Sequence, residues 1–155
     1  MPASFLIRRA LTDDRSREPV RAGTEAPPFS LESLDGGTVS LEDYRGRPVV
    51  VFFWGSWCDL CRDMIPLLTE AADRHPDAAV VGVLFRDEPD TARAAAREAG
   101  AGWDTLLDPG EATATAWGVD STPITFFVNR DGRVSGSVPG QLHRPLIDKQ
   151  LARIL

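Results

Sequence analysis

The sequence has two cysteines, Cys58 and Cys61, and only two residues separate them. A disulfide scaffold distributes its cysteines to join distant segments, which this pair cannot do. A tetrahedral zinc site needs about four ligands, and both histidines, His75 and His143, lie far from the pair in the sequence. At the start of a helix, a Cys-x-x-Cys pair can open and close a small disulfide ring, because free N–H groups and the helix dipole stabilise a thiolate there. The alternative is a pair of buried cysteines that only fill space.

The residues before the cysteines predict the strand that positions them. Residues 49–54 (VVVFFW) are apolar on both faces, which is typical of a central strand that is covered on both sides. Residues 55–56 (Gly-Ser) end this run, and the cysteine pair follows. Upstream, the alternating segments 29–31 and 38–41 flank the turn sequence Asp35-Gly36-Gly37 and predict a β-hairpin.

The residues after the cysteines predict helices and further strands. From residue 59 to about residue 74, apolar positions recur at steps of three and four and predict an amphipathic helix, which we expect Pro66 to kink. The sequence Asp87-Glu88-Pro89-Asp90 predicts the cap of a second helix, which runs to about residue 99. The other predicted elements are strand 79–85, a short strand at 105–107, a short helix at 110–117, strands 124–129 and 133–138, and a helix at 142–155. This order predicts an α/β fold in which helices cover both faces of a mixed sheet.

Length, charge and hydropathy limit the classes of protein to which the chain can belong. Its 155 residues suffice for one domain, which we place at residues 26–155, behind a mobile N-terminal arm at residues 1–25. The formal net charge of −6 opposes binding to a phosphate backbone, so we expect no nucleic-acid partner. No apolar run approaches the ~20 residues of a membrane-spanning helix, and residues 5–7 are too few for the apolar core of a signal peptide. These features fit a cytosolic chain or the mature form of an exported one.

Three motifs resemble, in the same order, those of thioredoxin-fold thiol–disulfide oxidoreductases. Residues 53–61 (FWGSWCDLC) resemble the redox signature F-W-x-x-W-C-x-x-C, and Pro66 stands at the family's proline in the following helix. Residues 118–128 (GVDSTPITFFV) resemble the cis-proline loop and its strand, and residues 129–134 (NRDGRV) resemble the next hairpin. With its N-terminal hairpin, the sequence resembles the TlpA/ResA/CcmG branch, whose bacterial members usually act outside the cytoplasmic membrane, many of them in cytochrome c maturation. The resemblance implies a three-layer α/β/α thioredoxin-like fold with an N-terminal β-hairpin extension, and it favours the cell envelope as the compartment.

The same resemblance implies a role for each residue of the site. Cys58 is the implied nucleophile, Cys61 is the implied resolving cysteine, and together they form the redox disulfide. Trp57, Thr122 and Pro123 are the implied substrate-binding residues. The implied partners are protein disulfides or dithiols and an upstream thiol electron donor, with reduction of the substrate as the favoured direction. We expect no metal, no other cofactor and a monomeric protein.

Three positions depart from the family's pattern. Leu60 replaces the proline that usually precedes the second cysteine, and Phe52 and Met64 stand where related proteins carry a polar or acidic residue. Asp59 and Asp63 are nearby in the sequence, and we expect both to be solvated. These departures favour an alternative function, that of a redox-inert thioredoxin-fold module that binds a metal or a partner. Alkylation of the reduced and oxidised protein would discriminate between the two.

Residue positions disfavour two other activities of related folds. Copper-delivery proteins use Cys-x-x-x-Cys and a histidine just before the penultimate strand, but residues 118–127 contain no histidine. Peroxidases of the peroxiredoxin kind need P-x-x-x-T/S-x-x-C. Val51 and Gly55 occupy the proline and hydroxyl positions of that motif, so we expect neither activity.

Overall fold

The computed structural model describes residues 17–155, which form a five-stranded mixed sheet with a separate two-stranded hairpin. The strands are β1 (Ser30–Glu32), β2 (Thr38–Ser40), β3 (Val49–Trp54), β4 (Ala79–Leu84), β5 (Thr105–Leu106), β6 (Ile124–Val128) and β7 (Val134–Pro139). The helices are α1 (Asp59–Arg74), α2 (Pro89–Glu98), α3 (Ala112–Trp117) and α4 (Arg144–Ala152), and 3₁₀ turns lie at Leu41–Tyr44 and Pro109–Glu111. Within the described residues, none of these helices is both long and apolar enough to span a bilayer.

Strand β3 lies at the centre of the large sheet. The strand order is β5-β4-β3-β6-β7, with β4 parallel and β6 antiparallel to β3. In this register Trp54 pairs with Leu84, and Phe53 pairs with Ile124. The C-terminal ends of β3 and β4 and the N-terminal end of β6 therefore lie side by side. They form one edge of the sheet, the edge that runs across the strand ends.

All six residues of β3 are buried, which confirms the predicted central strand. Its alternate side chains enter two apolar clusters, Val50, Phe52 and Trp54 on the first face and Val49, Val51 and Phe53 on the second. Helices α1, α2 and α4 pack on the first cluster, and α3 packs on the second. Burial of a large apolar side chain stabilises a fold by about 1.5–3 kcal/mol. The side chains of β3 therefore stabilise the packing of helices on both faces of the sheet. The predicted three-layer α/β/α architecture with its N-terminal hairpin is confirmed.

Residues 17–25, which the sequence assigns to the arm, run along the second face of the sheet. The backbone N–H of Val20 donates to the carbonyl of Trp117 at 3.1 Å, and that of Gly23 donates to the carbonyl of Val134 at 2.7 Å. The side chain of Val20 also packs on the second cluster. The rest of the predicted arm lies outside the described residues.

Two helices differ from their predicted extents. The helix at residues 110–117 is regular only over α3, because Gly110 and Glu111 adopt left-handed backbone angles, with φ of 69° and 58°. The final helix, predicted at residues 142–155, spans Arg144–Ala152 and so begins two residues late and ends three residues early. Pro145 explains the late start, since a residue without an N–H fits only the first turn of a helix.

Candidate active site

Cys58 and Cys61 stand at the start of α1 and are joined by a disulfide. Cys58 is the N-cap residue of this helix, and its Sγ accepts a hydrogen bond from the backbone N–H of Cys61 at 3.2 Å. The first N–H groups of a helix have no partner within it and carry the positive end of its dipole, so they favour a negative charge at this position. The geometry therefore stabilises a Cys58 thiolate once the disulfide is reduced.

The two sulfurs differ in accessibility. Cys61 is fully buried in the first apolar cluster, whereas Cys58 is partly exposed and packs at the edge of that cluster. A protein substrate can therefore contact Cys58 but not Cys61. This asymmetry supports the expected division into an attacking and a resolving cysteine.

The surroundings of Cys61 are apolar. Phe52 and Met64, two of the positions that depart from the family's pattern, are completely buried, and the ring of Phe52 stacks on Trp54 at 6.3 Å. Thr125, the partner of Phe52 in the sheet, has a buried hydroxyl that finds no hydrogen-bond partner among residues 17–155. Within residues 17–155 no charged side chain is buried. The structure thus provides no buried carboxylate that could accept the proton of Cys61.

The acidic residues near the cysteines lie on the solvent side of α1. The side chain of Asp59 is 88% exposed and pairs with Arg62, and Asp63 is also exposed. Leu60, between the cysteines, is partly exposed. The expectation that both aspartates are solvated is confirmed, so neither replaces the missing buried carboxylate.

Trp57 presents a large apolar surface next to the exposed cysteine. It is 56% exposed, whereas Trp54 and Trp117 are completely buried. Its indole Nε1 donates to the carbonyl of Phe85 at 3.3 Å, which fixes the ring near the end of β4. The ring also lies against Gly55, where any side chain would collide with it. An exposed, fixed indole is a suitable contact for a protein partner.

The Thr122–Pro123 peptide bond is cis, as the resemblance implies. Pro123 directly precedes β6, and its carbonyl accepts a hydrogen bond from the backbone N–H of Gly140 at 2.9 Å. Because Ile124 pairs with Phe53, this loop lies at the sheet edge where β3 ends and the cysteine segment begins. The fold thus brings the expected substrate-binding residues to the same edge as the cysteines.

Asp87 also belongs to this edge, although its position before α2 predicts a capping role. Its Oδ2 accepts a hydrogen bond from the backbone N–H of Ser56 at 2.6 Å, and its Oδ1 accepts one from that of Glu88 at 2.8 Å. The N-cap residue of α2 is Glu88, whose side chain makes no capping hydrogen bond. The predicted helix start is confirmed, and the Asp87 carboxylate additionally binds the cysteine segment. The parallel pairing of two buried strands was the signal for this contact, since the residues that follow such strands meet at one edge.

The two histidines lie at helix ends. His75 is the C-cap residue of α1, and His143 is the N-cap residue of α4. Among residues 17–155, no three His, Cys, Asp or Glu side chains converge as a metal site would require.

Known sequences resemble the chain over most of its length. Residues 22–137 match the model of the AhpC/TSA family. The thiol:disulfide interchange protein HelX of Rhodobacter capsulatus is 34% identical over 137 residues, which cover 86% of this chain and 77% of that protein. The thiol-disulfide oxidoreductase ResA of Bacillus thuringiensis is 28% identical over 140 residues, which cover 89% of this chain and 81% of that protein.

Solved structures share the fold. A DsbE-type thiol:disulfide interchange protein from Chlorobium tepidum matches with a TM-score of 0.81 at 26% identity, covering 87% of this chain and 98% of that one. The structure of MTB dsbF, in mixed oxidized and reduced forms, matches with a TM-score of 0.77 at 26% identity, covering 82% of this chain and 95% of that one. These matches confirm the thioredoxin-like fold expected from the sequence.

Proposed function

The chain belongs to the AhpC/TSA family and is a thiol–disulfide oxidoreductase, and we propose that it reduces disulfides of protein substrates through Cys58 and Cys61. The observation that carries the proposal is the disulfide between a partly exposed Cys58, at the N-terminus of α1, and a fully buried Cys61. A substrate contacts Cys58, and the sulfur of Cys61 lies behind it, close enough to form a disulfide with Cys58. We further propose that the protein works as a monomer without a metal or another cofactor.

In the first half of the proposed reaction, the Cys58 thiolate attacks one sulfur of the substrate disulfide. A mixed disulfide forms between Cys58 and the substrate, the substrate S–S bond breaks, and the released substrate thiolate takes up a proton. Before the attack, the N–H of Cys61 and the positive end of α1 stabilise the Cys58 thiolate.

In the second half, Cys61 loses its proton and attacks the Cys58 sulfur of the mixed disulfide. The bond between Cys58 and Cys61 forms, and the second substrate thiolate leaves and is protonated. Two electrons have then moved from the protein dithiol to the substrate, and an upstream thiol donor must reduce the protein again. Since no buried carboxylate lies within the described part of the chain, the proton of Cys61 passes to water or to the departing thiolate.

Trp57, Thr122 and Pro123 are the proposed substrate-binding residues. The exposure of the Trp57 indole and the position of the Thr122–Pro123 loop at the end of β3 support this role. An extended substrate segment can bind the backbone of such a loop and place its disulfide at Cys58, while the indole covers apolar residues of the partner.

The reductive direction is part of the proposal, and two groups near Cys58 act on it in opposite senses. The N–H of Cys61 stabilises the thiolate, and a more stable thiolate makes the disulfide a stronger oxidant. The carboxylate of Asp59, at the next residue, opposes the thiolate and favours the low reduction potential that is typical of reductases, and Arg62 pairs with this carboxylate.

A redox-inert binding module is the second candidate function. The apolar residues Phe52 and Met64 favour it, because they leave Cys61 without a nearby proton acceptor. This candidate predicts that the cysteines do not cycle between dithiol and disulfide in the presence of thiols.

Reduction of insulin by dithiothreitol discriminates between the two functions. The wild-type protein is expected to accelerate the reaction, and the double variant Cys58→Ser/Cys61→Ser is expected to leave it at the uncatalysed rate. If alkylation before and after oxidation shows that the wild-type protein forms no intramolecular disulfide, the oxidoreductase proposal fails and the binding module takes its place.

A further inference from the structure

The segment that joins β3 to α1 is held by residues that follow β4. Its residues 55–57 lie directly before Cys58. The backbone N–H of Ser56 donates to Oδ2 of Asp87 at 2.6 Å, and the indole Nε1 of Trp57 donates to the carbonyl of Phe85 at 3.3 Å. Both contacts join segments about 30 residues apart in the sequence, so they depend on the tertiary fold.

The Asp87 contact satisfies a buried backbone group. Ser56 is only 6% exposed, so its N–H has little access to water. The Ser56 hydroxyl has no hydrogen-bond partner among the described residues. The Asp87 carboxylate binds Ser56 only through the backbone N–H. A buried N–H that loses its partner is unfavourable, and the segment would move to regain one.

The carboxylate of Asp87 is itself fixed in place. Its second oxygen accepts the backbone N–H of Glu88 at 2.8 Å. The preceding residue, Arg86, adopts a left-handed backbone with φ of 49°, which costs energy in a residue other than glycine. Its guanidinium offsets this cost, because Nε pairs with Glu111 at 2.9 Å and the group lies over the ring of Phe85 at 4.6 Å. The turn at Arg86 lets Phe85 and Asp87 both contact the cysteine segment.

We propose that Asp87 is a positioning residue of the redox centre, whose carboxylate holds the Ser56 amide and thereby places Cys58 at the N-terminus of α1. The proposal rests on the oxidoreductase function of the cysteine pair. Within the described residues Asp87 makes no hydrogen bond to either sulfur, so it acts through the backbone of Ser56 and does not take part in the exchange chemistry. Without it, the Cys58 sulfur loses its fixed position relative to the N–H of Cys61, which lies 3.2 Å away.

Two substitutions separate hydrogen bonding from charge. Asp87→Asn removes the negative charge but keeps an oxygen that accepts from the Ser56 amide. Asp87→Ala removes both the charge and the acceptor. A negative charge near Cys58 opposes thiolate formation, so loss of the charge alone should speed the attack, whereas loss of the acceptor should slow it.

The test measures how fast the fully reduced protein reacts with oxidised glutathione, by acid quenching, alkylation and mass spectrometry. Because a hydrogen bond to a charged group changes an equilibrium about tenfold or more, Asp87→Ala is expected to lower the second-order rate constant by about tenfold. Asp87→Asn should retain a rate within about threefold of the wild type, and this rescue identifies the acceptor as the active element.

Asp90→Ala is the matched control. Asp90 lies in the first turn of α2, its side chain is 96% exposed, and it pairs with Arg93. Its loss removes a carboxylate from the same region without touching the cysteine segment, so the rate should not change. Thermal unfolding of each oxidised variant shows whether it folds. If Asp87→Ala does not fold, Asp87→Ser replaces it, since the short hydroxyl can still bind the Glu88 amide but not reach Ser56.

The outcomes are distinct. A slow alanine or serine variant with a fast asparagine variant supports the proposal. A wild-type rate in the alanine (or serine) variant, or an asparagine variant as slow as the alanine (or serine) variant, would overturn it. A wild-type protein that does not react with oxidised glutathione at all would instead refute the oxidoreductase function on which the proposal rests.

Discussion

The backbone N–H of Cys61 lies 3.2 Å from Sγ of Cys58 and donates a hydrogen bond to it. The proposed resolving residue, Cys61, thus contacts the proposed attacking sulfur through its backbone, while its own side chain is buried. This relationship requires Cys58 to be the N-cap residue and Cys61 to lie in the first turn of α1. It is the basis for our proposal that the two cysteines perform different steps of one reaction.

Single cysteine variants should therefore behave differently. Cys61→Ser keeps the attacking thiol and its N–H donor, and we expect it to accumulate a stable mixed disulfide with glutathione. Cys58→Ser leaves only the buried thiol, and we expect it to react slowly because a substrate cannot reach this sulfur. Mass spectrometry of the native variants after incubation with oxidised glutathione measures both. Equal labelling of the two variants would contradict the assignment of roles.

Trp57 should contribute to substrate binding more than to stability. Because its ring is 56% exposed, Trp57→Ala is expected to lower the free energy of unfolding by less than about 1 kcal/mol. The buried Trp54 is the contrasting case, and Trp54→Ala should cost about 3–5 kcal/mol.

Kinetics distinguish the proposed role of Trp57 from a merely structural one. We expect Trp57→Ala to slow the reduction of a protein disulfide while the rate with oxidised glutathione stays near that of the wild type. Equal slowing with both substrates would indicate a change at the cysteines rather than loss of a docking contact.

The ion pair between Arg74 of α1 and Asp148 of α4 should make stability depend on pH. The hydrogen bond from the Arg74 guanidinium, at 2.6 Å, lowers the pKa of Asp148 from its ordinary value of 3.8, with further lowering by the charges of Arg74 and Arg144. A carboxyl whose pKa is lowered by folding stabilises the protein above the ordinary pKa, and this contribution is lost as the pH falls through the folded-state pKa.

The substitution Asp148→Asn tests this linkage. Its Tm is expected to lie below that of the wild type near about pH 7 and to approach it as the pH falls below the ordinary pKa of the carboxyl. Asp73→Asn, at an exposed position of α1, is the control and should leave the pH profile unchanged. A constant Tm difference across the acid range would show that the pair contributes through packing and not through ionisation.

Two deletions test where the N-terminal arm ends. Residues 17–25 make backbone hydrogen bonds to the domain, among them Val20 to Trp117 and Gly23 to Val134. A chain that lacks residues 1–25 is therefore expected to unfold at a Tm lower by on the order of 5 °C than a chain that lacks residues 1–16. Equal Tm values would show that the arm is independent of the domain as far as residue 25.

Much of the fold and of the cysteine site follows from local sequence patterns. The run of six apolar residues at 49–54 predicts a strand buried on both faces, and β3 is buried on both faces. The apolar stripe after residue 59 predicts α1, whose buried residues follow that stripe. These predictions succeed because each depends on the periodicity of one continuous segment.

The contacts between distant segments are not encoded in this way. The sequence around Asp87 is typical of a helix start, and nothing local shows that its carboxylate binds Ser56, 31 residues earlier. That contact depends on the register between β3 and β4, in which Trp54 pairs with Leu84. The left-handed backbone of Glu111, which shortens the predicted helix, is likewise supported by its ion pair with Arg86.

The reduction potential of the Cys58–Cys61 pair tests the central claim most directly. The protein is equilibrated in buffers of graded thiol and disulfide ratio, the free thiols are alkylated, and the fractions are quantified by mass spectrometry. We expect a single two-electron transition at or below about −230 mV, which is typical of a reductase. A potential above about −150 mV would contradict the reductive direction, and the absence of an intramolecular disulfide at every ratio would contradict the redox function itself.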